Sequence, residues 1–145
     1  MVGGAAAVLL GAPIHTLDLD LVHDRSPANL DRLHAALVDL DACYREHLPA
    51  TVVRPRMQDL ALVGHHLLMT TYGPLDLLGS VGKGRTHDLL IAHVESIELS
   101  GIGRVLVLDL PTMIEIKEEL GRDKDRIVLP VLRRTLEERR RRECS

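Results

Sequence analysis

Apolar and polar positions along the 145-residue chain follow two periods. From Leu30 to Tyr44 the apolar residues Leu30, Leu33, Leu37, Leu40 and Tyr44 recur at steps of three and four, which predicts an amphipathic helix with that stripe in the core. Ser26-Pro27 supplies an N-cap followed by Pro at the first helical position, and the helix is expected to run to about Arg45. Leu17 to His23 alternates apolar with polar and predicts a strand, as do His66 to Thr71 and Leu75 to Leu78, joined by a tight Gly73-Pro74 connection. Further strands are expected near Ser96–Leu99 and Arg104–Leu108, and short helices at Ala5–Gly11, broken by Pro13, and at Asp88–Val94. Residues 48–58, with Pro49 and Pro55, read as a loop. Asp109-Leu-Pro-Thr112 opens a helix to about Leu120 with Gly121 as its C-cap, and Asp123 opens a last helix that buries Leu129, Leu132 and Leu136.

This length suits one domain, 1–145, with a real core. The chain is 46% hydrophobic but has no Phe or Trp and only Tyr44 and Tyr72, so Leu, Val, Ile and Ala must fill that core. Stacking of bases on aromatic platforms is nearly unavailable. Net charge is −3, unevenly spread: residues 1–121 carry nine basic and sixteen acidic side chains, residues 122–142 nine basic and four acidic. A basic tail can meet phosphates. For Arg139 to Arg142 the plainer reading is a solvated helix end, where cations suit the dipole. Arg54 and Arg56 read as solvated surface. Cys43 and Cys144 have neither disulfide-framework nor zinc spacing, and adjacent His65-His66 cannot share a helical face as a zinc pair. No run of about 18 apolar residues occurs and Met1 leads into the chain without a charged segment, so the protein reads as cytoplasmic, with no membrane partner. Gly79-Ser-Val-Gly-Lys-Gly-Arg85 lacks the glycine spacing and the Ser or Thr after Lys of a Walker loop. It remains a basic loop whose Lys83 or Arg85 can touch substrate.

The chemistry-bearing pattern is Thr16-Leu-Asp-Leu-Asp-Leu-Val22. On a strand Asp18 and Asp20 face one side and Leu17, Leu19 and Leu21 the other. Two carboxylates on one face raise each other's pKa unless a cation sits between them. Mg²⁺ (or Mn²⁺) suits such oxygen ligands. Asp-Leu-Asp-Leu alone is equally an ordinary half-buried strand. Gly3-Gly4, with thirteen residues between it and Asp18, and Asp76 within Leu75-Asp-Leu77 turn the balance toward a metal site.

Gly3-Gly4, Asp18-Leu19-Asp20-Leu21 and Leu75-Asp76-Leu77 together resemble the nucleotidyltransferase superfamily that includes DNA polymerase beta. Gly73 to Gly79, Ile116-Lys117-Glu118 and Gly121 to Asp125 look like its minimal bacterial members, among them abortive-infection toxins. The resemblance spans most of the chain. It implies an α/β (or α+β) fold, a small mixed sheet with helices, whose C-terminal helices 111–142 pack on the domain. The family's glycine pair closes a strand preceded by a helix, whereas only Met1-Val2 stands before Gly3, so that helix and most of that strand are expected to be missing. Ile14 stands where many relatives carry Arg, Ala5 where some carry Ser or Thr, and His87 where an aromatic residue is common.

The activity implied is transfer of a nucleoside monophosphate from an NTP to a hydroxyl, with Asp18, Asp20 and Asp76 holding two metal ions. Gly3, Gly4 and Lys117 would hold phosphates, and Lys124-Asp125 matches the family's Lys-Asp element. Asp125 would orient Lys117 or an arginine, or simply occupy a first helical turn where acids are favoured. The toxin-like resemblance implies RNA (tRNA) or a protein as acceptor and an antitoxin as partner. A small-molecule (antibiotic) nucleotidyltransferase shares the same acids, and a truncated chain that only binds nucleotide or a partner protein is the non-catalytic alternative.

Overall fold

The computed structural model describes residues 1–145 as an α+β fold: a mixed four-stranded sheet, a separate two-stranded hairpin and six helices. The elements run α1 (Gly3–Leu9), β1 (Leu19–Val22), α2 (Pro27–Asp39), β2 (Cys43–Tyr44), α3 (Met57–Leu60), β3 (His66–Thr70), β4 (Gly73–Leu78), α4 (His87–Leu90), β5 (Val94–Leu99), β6 (Gly103–Leu108), α5 (Leu110–Leu120) and α6 (Asp123–Glu143). The large sheet has the order β1-β4-β3-β2, with β1 parallel to β4 and the other pairs antiparallel.

Alternation along β1, β3 and β4 separates two cores. Leu19, Leu21, Leu68, Leu75 and Leu77 pack with Leu30, Leu37 and Leu60 beneath α2 and α3. The opposite face turns Val22 and Leu78 toward a second core built from α1, β6, α5 and α6, including Ala6, Ala7, Val107, Leu110, Met113 and Leu132. Asp20 and Asp76, one position from those leucines, therefore emerge on the side of the second core. At the edge of the first core His23 Nε2 donates to the Leu60 carbonyl at 2.8 Å, and His66 Nδ1 is bonded to the Tyr44 hydroxyl at 2.8 Å. Burial, then the neighbouring His23, hold the His66 imidazole below its usual pKa.

Several boundaries differ from the sequence reading. The α2 helix stops at Asp39 rather than near Arg45, because Asp41 adopts a left-handed conformation (φ 52°). Asp41 N–H then bonds the Val38 carbonyl and Ala42 N–H the Leu37 carbonyl, a Schellman ending that a short polar side chain tolerates. The chain beyond it forms β2 and a 3₁₀ turn, Arg45–His47. Gly11 (φ 95°) ends α1 by the same motif ahead of Pro13. Gly73 and Pro74 lie inside β4, paired with Thr70 and Met69, so Thr71 and Tyr72 make the turn. Part of the expected 48–58 loop is taken up by α3, where the Asp59 carboxylate accepts from the Arg56 N–H at 3.3 Å and from its guanidinium at 2.9 Å. At α5 the reading holds in detail: Asp109 accepts from Thr112 N–H at 2.8 Å, and Gly121 closes the helix at φ 57°.

Met1 and Val2 join the sheets. Val2 N–H donates to the Asp20 carbonyl at 2.9 Å, while Leu108 N–H donates to the Met1 carbonyl at 2.9 Å and the Met1 ammonium to Leu106 at 2.7 Å. Two residues thus do the sheet-bridging work of a short strand. No helix is long and apolar enough to cross a membrane.

Candidate active site

The parallel register sets Asp20 directly beside Asp76. Asp18, one residue before β1, joins them on the wall of a cleft of about 680 Å³. That cleft brings together Gly3, Gly4, Asp18, Asp20, Asp76, Lys117 and Lys124, seven of the eight residues singled out from sequence. The eighth, Asp125, lies beneath it, fully buried.

The glycine pair is the first turn of α1 rather than a turn ahead of it. Gly3 has φ 71°, and a Cβ there would sit 2.0 Å from Asp20 Oδ2. A Cβ on Gly4 would meet Thr16 at 2.8 Å. Only glycine lets the helix start lie against the acidic strand.

Asp18 and Asp20 form no ion pair, whereas Asp76 is taken by Arg45, whose Nη1 donates to Oδ1 at 2.6 Å and Nη2 to Oδ2 at 3.2 Å. Burial first, then the charges of Asp76 and Asp18, push the Asp20 carboxyl above its usual range; Lys124 and Lys117 across the cleft oppose that rise. The Asp76 bond in turn holds the Arg45 guanidinium above its usual value. The site thus carries uncompensated negative charge at Asp18 and Asp20, lined by carboxylate oxygens and free of side chain at Gly3. Such a donor set fits a hard divalent cation.

Beneath the facing wall, Asp125 joins α5 to α6. Lys117 Nζ donates to its Oδ1 at 3.1 Å, and Arg122 donates through Nε to Oδ2 at 2.6 Å and through Nη2 to Oδ1 at 3.2 Å. Both sequence readings of Asp125 apply, since it also sits in the first turn of α6. Burial raises its pKa, but the Arg122 and Lys117 bonds outweigh that and hold it below the usual carboxylate range. Its stabilising contribution is therefore present above about pH 3.8 and lost as pH falls through the lower folded value. Replacing Asp125 with Ala strands Lys117 and opens the α5–α6 contact. We expect a loss of about 3 kcal/mol in urea unfolding, at the lower end for a broken buried pair because Arg122 is half exposed. Lys124 lines the cleft without an ion pair.

Other candidates lie elsewhere. Arg85 is clasped by Glu119 and Glu115 at 2.6 Å each, pinning its loop to α5, and Lys83 stands 3.9 Å from Glu119. Arg54 pairs with Asp41 and Arg56 with Asp59, both outside the cleft. Arg139 is not simply solvated: it grips Glu95 through two bonds, at 2.6 and 3.2 Å, tying α6 to β5, while Arg140 to Arg142 are exposed. Asp24, His87 and Asp88 bring ligating atoms within 4.8 Å of one another away from the cleft, where Ser26 already donates to both oxygens of Asp24.

Sequence reasoning missed Arg45 and Arg122. The i, i+3 spacing of Arg122 and Asp125 at a helix start was a usable signal. Arg45 meets Asp76 across 31 residues and gave none. Neither a family model nor a curated protein matches this sequence, so the resemblance rests on its motifs.

Proposed function

We propose that this protein is a metal-dependent nucleotidyltransferase that moves a nucleoside monophosphate from an NTP to a hydroxyl of an RNA (tRNA) or protein acceptor, in the manner of a toxin countered by an antitoxin. The observation that carries the reading is the β1–β4 register, which sets Asp20 against Asp76 in a cleft whose other wall offers Lys117 and Lys124.

Asp18, Asp20 and Asp76 are the ligands for Mg²⁺ or Mn²⁺, and the ions supply charge neutralisation and alignment of the phosphates. Lys117, fixed by Asp125, and Lys124 face the triphosphate's negative charge. Gly3 and Gly4 leave backbone rather than side chain beside Asp20, room that a phosphate can use. The acceptor hydroxyl oxygen forms a bond to the α-phosphorus, the bond from that phosphorus to the β-phosphate oxygen breaks, and pyrophosphate leaves. The hydroxyl proton passes to Asp76. A cleft of about 680 Å³ lies within the range that holds a nucleotide-sized ligand.

The test incubates the purified chain with Mg²⁺, each α-labelled NTP in turn, and total cellular RNA plus protein. Label should enter one macromolecular fraction, its nuclease or protease sensitivity naming the acceptor. Label confined to small molecules replaces the acceptor class with a small hydroxyl compound, and no transfer with any NTP overturns the proposal.

A further inference from the structure

Arg45 holds Asp76 through two directed bonds and is itself anchored by a third, from Nη1 to the Leu68 carbonyl at 3.2 Å. The two side chains are only 27% and 12% exposed, and a bidentate guanidinium–carboxylate pair of this kind is strong and geometrically selective. Asp18 and Asp20, on the same wall, have no such partner. The cation that neutralises the third carboxylate is thus already part of the chain.

The balance of charge gives this pairing a consequence. On this wall three ionised carboxylates and one guanidinium leave two negative charges, which one divalent ion cancels, and unpaired Lys124 across the cleft only adds positive charge. A second divalent ion would leave an excess of two positive charges beside Arg45, with repulsion between like charges in a partly buried site. A triphosphate reverses that balance.

We propose that Arg45 stands in for the second divalent ion when no nucleotide is bound. The nucleotide-free protein holds one ion, on Asp18 and Asp20, and Asp76 takes another only when anionic phosphates draw it in and Arg45 lets go. This inference rests on the cleft being a divalent-ion site. Arg45 is well mounted for such an exchange. It opens the 3₁₀ turn after β2, a two-residue strand at the edge of the sheet, so its release disturbs neither core. It is a positioning residue, acting through Asp76.

The experiment titrates Mn²⁺ alone into the nucleotide-free full chain and follows the free ion by electron paramagnetic resonance. The wild-type chain should bind one ion. Arg45→Gln should bind two, or hold the second at least about tenfold more tightly than wild type, in the range of ordinary site–site coupling. Arg45→Lys, which keeps the charge but loses the fork, should fall between them and covers the case of a poorly folded Gln variant. Asp76→Asn should bind one ion whichever residue stands at position 45. Two ions bound with similar affinity by wild type and Arg45→Gln would overturn the inference alone. No ion bound by any of the chains would overturn the proposed function with it.

Discussion

Asp20→Asn is expected to lower nucleotidyl transfer by on the order of 10³-fold, since it removes charge where the phosphates react. The same change should leave the fold intact and make it slightly more stable at neutral pH. In the folded chain burial, Asp76 and Asp18 push the Asp20 carboxyl above its ordinary 3.8, so the native state binds this proton more tightly than the unfolded state. Stability is then lost as pH rises from about 3.8 through the higher folded value, and at pH 7 the ionised carboxylate is a net burden. Asn removes the charge and the burden. Thermal melts at pH 7 should show the variant higher than the wild-type chain, with the gain gone at pH 3. A lower melting temperature at pH 7 would mean that Asp20 supports the fold, contrary to its lack of any ion pair. Opposite signs for activity and stability mark a residue kept for function.

Gly3→Ala carries the second large effect. An alanine at φ 71° costs roughly 1–2 kcal/mol from backbone conformation alone. Its methyl group would also fall 2.0 Å from Asp20 Oδ2. The carboxylate is the freer of the two groups and moves, so transfer should drop by about 10²-fold even in molecules that fold, given the sensitivity of such sites to misplacement of about 1 Å. Gly101→Ala is the control. Gly101 has a similar φ of 77°, but a Cβ there would meet nothing within 4 Å, so it should show the stability loss with activity unchanged. Equal activity losses in the two variants would show that backbone strain, rather than the approach to Asp20, is what matters.

How much could be read from the chain follows from the range of each interaction. Asp18, Asp20 and Asp76 were legible because alternation is local, and the Leu neighbours of Asp20 and Asp76 fix which face each carboxylate takes. Asp125 beneath Lys117 was legible because α5 and α6 are joined by a short turn at Gly121. The end of α2 was not. It depends on Asp41 adopting a positive φ, and the stripe through Leu40 and Tyr44 continues past it at helical spacing although Tyr44 reaches the same core from a strand. That one boundary hid Arg45, which a helix would have kept away from Asp76. Pro130 lies inside α6 on its exposed side, where water can satisfy the carbonyl it frees, so a helix breaker by residue type breaks nothing.

The fate of the two ends of the triphosphate separates nucleotidyl transfer from other phosphate chemistry. The chain would be incubated with Mg²⁺, cellular RNA and protein, and matched α- and γ-labelled samples of the preferred NTP, with Asp20→Asn in parallel. The α label should appear in the acceptor and the γ label in pyrophosphate, both only when Asp20 is intact. A γ label in the acceptor, or an α label transferred equally by Asp20→Asn, would contradict the assignment of this cleft.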